Sequence, residues 1–199
     1  MSFILSEEVR KGIDNGVYQG VCVGLVDLGT QDNTHFKKKE RKWLLMWELP
    51  DVMIEFEKDG EKITAPKVIS KQYTRSFAEK SNIRKDLQSW RGKPFTEEEL
   101  KGFDLSKILG VNCMLQIIND VKGEKSYPKV TAILPLYRGI PEAKPHMDFL
   151  VYGIDDEIPD SMPGWIKSLI LKSEEKLGAE TGQTEPNYDD APPLDDCPF

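Results

Sequence analysis

The chain has 199 residues, with 27 Lys and Arg against 34 Asp and Glu, for a formal charge of -7. At roughly 150 residues per domain this is one domain with an appendage, and 39% hydrophobic content is enough to bury a core, which excludes a chain disordered throughout. No run of about 18 uncharged apolar residues occurs, and Met1 to Lys11 lacks the apolar stretch of a signal sequence, so a soluble cytoplasmic protein with no membrane partner is expected.

Gly16 to Asp27 is rich in valine and reads as a strand, its internal glycines marking bulges or bends. Leu28 to Asn33 is turn-like and leads into the basic run Phe36 to Lys42. A second strand, Trp43 to Leu49, is broken by Pro50 and Asp51. The apolar piece Val52 to Phe56 precedes an Asp59-Gly60 turn, and Pro66 to Arg75 alternates as a third strand. After Thr74 the period changes: Phe77, Ile83, Leu87 and Trp90 recur at helical spacing, and Gly92-Lys93-Pro94 stops the helix. Thr96 with Glu99 forms a capping box for a short helix through Lys101, and a turn follows at Leu105 to Leu109. Val111 to Val121 and Tyr127 to Leu136 are two more strands joined by a loop holding Lys122-Gly123.

The order strand, strand, strand, helix, strand, strand predicts a mainly β fold, a five-stranded OB barrel with a helix between strands 3 and 4, over residues 1–140, and the same order also fits other small β-barrels. Residues 141–177 form a C-terminal extension. Within it Pro141 to Ile154 is a strand pair or an extended arm, and Asp160 or Ser161 caps a helix from Pro163 to Leu177 with Trp165, Ile166, Leu169 and Ile170 on its apolar side. Residues 178–199 are rich in Gly, Thr, Pro, Asp and Glu and predict a disordered acidic tail.

The charge is unevenly placed. From Ser173 to Phe199 there are eight acids and one base, which accounts for all of the -7 and leaves 26 bases and 26 acids before it. Lys62 to Lys93 holds nine bases and only two acids, Glu79 and Asp86, while Lys37, Lys38, Lys39, Arg41 and Lys42 are offset only by Glu40. A fold that brings these two segments together makes a positive groove able to follow a phosphate backbone. By strict alternation Lys67, Ile69, Lys71, Tyr73 and Arg75 share a face, so Tyr73 is flanked by cations as a base-stacking platform would be. Trp43 and Trp47 share a face with Leu45, and Phe36 lies in the basic loop. The candidate nucleic-acid contacts are therefore Phe36, Lys37, Lys38, Lys39, Arg41, Lys42, Trp43, Trp47, Lys67, Lys71, Tyr73, Arg75, Lys80, Arg84 and Arg91, with core packing the competing role for Trp47 above all. Phe77, Trp90 and Phe95 are assigned to the core.

No catalytic or metal constellation emerges. Cys22, Cys113 and Cys197 are odd in number and widely spaced, and His35 and His146 fit no ligand motif, so neither metal nor cofactor is expected. Lys58-Asp59-Gly60 lacks one residue of the nucleotidyl-transfer motif Lys-X-Asp-Gly, and Glu97-Glu98-Glu99 opens a helix, as acids at a helix start do.

The terminal residues are Tyr188-Asp189-Asp190-Ala191-Pro192-Pro193-Leu194-Asp195-Asp196-Cys197-Pro198-Phe199. This resembles the acidic tails of bacterial single-stranded DNA-binding proteins, with Asp195, Asp196, Pro198 and Phe199 matching and Cys197 in place of isoleucine. Gly20 to Leu49, Tyr73-Thr74-Arg75-Ser76 and Arg84 to Gly92 look like phage-encoded replication-associated proteins. The resemblance implies a phage-type, non-enzymatic binder of single-stranded DNA serving replication, recombination or repair. Asp189, Asp190, Asp195, Asp196, Pro198 and Phe199 would then be the site for replication or repair partners, because a terminal Phe presents a ring and a carboxylate together. The same acids could lie over the basic groove when DNA is absent. Competing readings are an OB-fold adaptor or structural phage protein that binds protein only, and a metal-dependent nucleic-acid enzyme.

Overall fold

The computed structural model describes residues 13–33, 38–58, 61–122 and 125–177. Phe36, Lys37, the Asp59-Gly60 turn and the whole tail lie outside the described residues, with Asp189, Asp190, Asp195, Asp196, Pro198 and Phe199 among them. Three long strands come first, β1 (Gly16–Asn33), β2 (Lys38–Lys58) and β3 (Glu61–Thr74). The helices α1 (Asn82–Arg91) and α2 (Glu97–Lys101) and a 3-10 turn at Leu105–Ile108 precede β4 (Asn112–Lys122) and β5 (Lys125–Pro135). The extension supplies β6 (Leu150–Tyr152), α3 (Gly164–Leu171) and α4 (Glu174–Leu177).

The strands lie in the order β3-β2-β1-β4-β5, antiparallel throughout, and β6 pairs parallel with β1. The fold is mainly β, as the pattern predicts, but the sheet is open and not a closed barrel. Its edges β3 and β5 are bridged by α1: Asp86 holds β3 through Lys71 and Tyr73, while Ser89 Oγ donates to the Ile133 carbonyl of β5 at 2.6 Å. The apolar residues of α1, Ile83, Leu87 and Trp90, pack into the core, and β3 and β5 come close to each other without forming a ladder.

β2 buries both faces, which explains its unbroken apolar run. Leu45, Trp47 and Leu49 enter one core with α1, Leu115, Ile117, Val130 and Ile133; Leu44 and Met46 enter a second with Val23, Val26, Leu28, Val68, Tyr152, Ile166 and Ile170. The first core is the inside of the curved sheet. The second is its other face, covered by the extension.

Glycines set the bends. Register shifts fall at Cys22/Gly24, where a bulge was expected, and at Asp27/Gly29. The stretch Leu28 to Asn33 is not a turn, however: it stays in β1, with Thr30 opposite Arg41 and Asn33 opposite Lys38. Pro50 and Asp51 do not end β2 either. The ladder passes from Leu49↔Lys67 to Met53↔Pro66, so the proline is absorbed in an irregularity that needs no ladder donor.

α1 begins later than its apolar period suggests. Ser81 is the N-cap, its hydroxyl accepting from Arg84 N, and Gly92 closes the helix at φ 67°. The capping box of Thr96 and Glu99 is present on α2. In the extension the expected single helix is split, because Ser173 is buried against Gly29, which lies at φ +71° with an ideal Cβ only 2.6 Å from Ser173 Cβ. Pro163 stands at the N-cap of α3 without a side-chain bond, in place of Asp160 or Ser161.

Pro141 to Asp148 is an extended strap across the second face. Asn112, Val21, Glu48 and Val68 form one row across β4, β1, β2 and β3, and the strap is hooked at two points of it. Asn112 exchanges hydrogen bonds with the backbone of Ala143 at 3.0 Å. Glu48, 1% exposed, accepts from His146 N at 2.9 and 3.0 Å, Met147 N at 3.1 Å and the His146 ring at 2.8 Å.

Candidate nucleic-acid interface

Pairing of β2 with β3 brings the two basic segments together, Lys42 opposite Thr74 and Trp43 opposite Tyr73. Acids arrive with them. Lys39 reaches Glu174 of α4 at 2.8 Å, which raises its pKa through that hydrogen bond. Arg41 forks onto Asp27, with Nη2 to Oδ2 at 2.7 Å and Nε at 3.1–3.2 Å to both oxygens. Lys42 Nζ binds Glu40 at 2.6 Å and Thr74 Oγ1 at 2.8 Å. Arg91 clamps Glu99 at 2.6 and 3.1 Å and lies 4.3 Å from the Phe95 ring centroid, so it belongs to the Phe77, Phe95 and Phe103 cluster. Hydrogen bonds from Arg91 and then from the Thr96 backbone pull the Glu99 carboxyl down to about 2.

Two of the expected stacking residues are interior. Trp47 is 0% exposed, with its ring 6.1 Å from Trp90, and Tyr73 is 3% exposed. The alternation placed Lys67, Ile69, Lys71 and Tyr73 on one face correctly, but that face receives α1. Tyr73 donates its hydroxyl to Asp86 at 2.7 Å, and Lys71 meets the same carboxylate at 2.7 Å. Burial, then the Asp86 charge, raises the Tyr73 phenol well above its ordinary range. Tyr73 and Trp47 are therefore withdrawn as stacking groups. Arg84 is half-buried and donates to the Phe77 carbonyl at 3.5 Å, and Lys67 is half-buried.

What remains open is a smaller surface where β2 begins and β3 ends. Arg75 is exposed, donates its backbone N–H to the Arg41 carbonyl at 2.8 Å, and carries its guanidinium 5.3 Å from the ring of half-buried Trp43. Lys38 and Lys80 are exposed, and neither they nor Arg75 meet an acid among the described residues. Beside them Glu40, Thr74, Ser76, Ala78, Lys80, Ser81 and Asn82 line a polar depression of about 280 Å³.

Sequence reasoning passed over Thr74, Ser76, Ser81 and Asn82. Their signal is the hydroxyl-rich turn between the end of β3 and the Ser81 cap. It also gave Glu174 and Glu175, at the end of the expected helix, no partner, although Glu175 accepts from Thr30 N and Oγ1 at 2.7 and 2.8 Å. The thiols of Cys22 and Cys113 are buried, and burial raises both, that of Cys22 to about 12. No helix among the described residues is long and apolar enough to cross a membrane. No family model, no curated protein and no solved structure matches the chain.

Proposed function

We propose that the protein binds single-stranded DNA non-enzymatically, with little sequence preference, at the open ends of β2 and β3. The observation that carries this reading is the exposed Arg75 guanidinium lying over Trp43, with Lys38 and Lys80 as further cations that meet no acid among the described residues. A partly exposed indole beside unneutralised cations is what a strand of bases and phosphates requires: a flat apolar surface for one base and cations for neighbouring phosphates. The strand order β3-β2-β1-β4-β5, with α1 between β3 and β4 and lying across the open edges, supports an OB-like architecture whose closing ladder is replaced by a helix. OB domains commonly bind on the face of strands 2 and 3. Here the extension covers Leu44, Met46 and Val68 on the second face, which moves the open surface to the strand ends. The C-terminal residues Asp189, Asp190, Asp195, Asp196, Pro198 and Phe199 serve as a recruiting peptide for replication, recombination or repair proteins in this reading.

The test is titration with oligo(dT) and matching duplex at several salt concentrations. With three to five phosphates neutralised, the single-strand log-log salt slope should be about -2 to -3.5. Tryptophan fluorescence should be quenched and Trp43→Phe should abolish most of that change, since Trp47 and Trp90 are buried and Trp165 of α3 packs against the core on the other face of the sheet. Indifference to both nucleic acids would leave the protein-binding adaptor as the reading.

A further inference from the structure

The depression beside Arg75 contains an acid that the binding of phosphate alone does not explain. Glu40 accepts three hydrogen bonds, from Asn33 Nδ2 at 3.2 Å, Lys42 Nζ at 2.6 Å and Thr74 Oγ1 at 3.4 Å, and all of them reach the same oxygen, Oε2. Oε1 accepts none among the described residues, and the side chain is 27% exposed. Hydrogen bonds from Lys42 and then Asn33 hold the carboxyl below its usual range, so at neutral pH it is ionised and acts only as an acceptor. A phosphate oxygen is also only an acceptor and would be repelled. Among the groups of a bound strand, only a neutral N–H or O–H can therefore meet Oε1.

Lys80 stands on the rim of the same depression, exposed and without an acid partner among the described residues. A ligand that satisfies both has an anionic group and, one short step away, a neutral donor. A nucleotide within a strand has this arrangement: its phosphate is anionic, while its donor is an exocyclic base amine or a ribose 2′-hydroxyl. The depression, of about 280 Å³, has room for one such unit.

We propose that this depression is a one-nucleotide subsite in which Glu40 Oε1 accepts a hydrogen bond from a base amine or a ribose 2′-hydroxyl while Lys80 holds the adjoining phosphate. The inference rests on the binding function proposed above and adds a chemical preference at one position of the bound strand. Lys42 and Thr74 position the carboxylate, and Glu40 reads the donor.

Three oligomers of equal length separate the sources. Oligo(dC) differs from oligo(dU) at the base amine, and oligo(U) differs from oligo(dU) in the 2′-hydroxyl. The full chain should bind oligo(dC) or oligo(U) roughly tenfold more tightly than oligo(dU), which keeps the uracil ring N–H but has neither an exocyclic amine nor a 2′-hydroxyl, the size expected for a hydrogen bond to a charged group; tighter binding of oligo(dU) than of both would place the ring N–H there and overturn the proposal. Glu40→Ala should bring the three affinities together without weakening oligo(dU), because it removes a negative charge from the phosphate path. Lys80→Ala should weaken all three alike. Should Glu40→Ala fail to fold, Glu40→Gln is read in the same way. Equal affinity of the unaltered chain for all three strands, or a preference that survives loss of the carboxylate, overturns the subsite and leaves the binding function standing. No binding to any strand overturns both.

Discussion

Replacing Glu48 by leucine tests the strap most directly. The carboxylate is 1% exposed at the middle of β2 and accepts from two backbone N–H groups and one imidazole nitrogen, all of the strap. Leucine fills similar space but leaves the N–H groups of His146 and Met147 facing an apolar row between Val21 and Val68. An unsatisfied buried donor costs about 1–3 kcal/mol. Part of this is recovered because the His146 side chain is 61% exposed and the strap can lift into water, and part because the carboxylate no longer has to be desolvated. The net loss expected is about 2–3 kcal/mol, or roughly 4–12 °C in Tm for a domain of this size. Urea melts give the free energy. Hydrogen exchange of Ala143 to Asp148 gives the location, and protection there should fall by more than in β1 or β4. Stability unchanged within about 0.5 kcal/mol, with the strap still protected, would refute the claim that Glu48 holds it.

Tyr73→Phe should lower stability by about 1 kcal/mol, because Asp86 keeps Lys71 when it loses the phenol, and should leave the affinity for oligo(dT) unchanged. Trp43→Ala, by contrast, should weaken oligo(dT) binding by about 1–3 kcal/mol; parallel titrations of the two variants reverse the assignment if Tyr73 proves the sensitive one. Glu99 is depressed from 4.5 to about 2 in the folded chain, so its contribution is complete above pH 4.5 and disappears as the pH falls from there through 2. Glu99→Gln should therefore flatten the stability profile in that window and leave the profile above pH 5 parallel to that of the unaltered chain. Gly29→Ala forces φ +71° on an alanine and drives Cβ to within 2.6 Å of Ser173, so a loss of at least about 1–3 kcal/mol is expected, with increased exchange at Thr30. An unchanged melting curve would mean that α4 does not sit on Gly29.

Local signals carried most of the element order. The capping box at Thr96, the αL glycine at Gly92, and the alternation of Trp43, Leu45 and Trp47 all depend on residues near in sequence, and all three describe the folded chain. What alternation does not say is which face meets solvent. Lys71-Gln72-Tyr73 reads equally as a cationic platform or as a surface awaiting a helix, and only Asp86, 13 residues after Tyr73, distinguishes the two. Leu28 to Asn33 failed as a turn for a related reason. Its glycine and polar residues resemble a loop, but their partners lie far away, with Thr30 held by Glu175 and Gln31 Nε2 donating to the Leu169 carbonyl at 2.9 Å. The open edge between β3 and β5 was likewise invisible, since strand order alone does not reveal whether a helix or a ladder fills the gap.

The placement of charge changes most when contacts replace counts. The -7 of the chain falls wholly after Lys172, yet Glu174 and Glu175 belong to the folded body, where they engage Lys39 and Thr30. From Gly178 onward six acids and no base remain, so the tail carries -6 and the rest of the chain -1. Lys39, Arg41, Lys42, Lys71 and Arg91, all five expected to meet phosphates, instead meet acids of the same chain. Of these only Lys39–Glu174 is exposed, and a pair of that kind contributes little to stability, about 0–1 kcal/mol; the other four are half-buried. They do lower the local positive potential and narrow the path a phosphate backbone can take. The exposed cations left without an acid among the described residues are Lys38, Arg75 and Lys80, with Arg75 over Trp43. The same selection that shrinks the surface therefore places it at the start of β2 and the end of β3 rather than around the sheet.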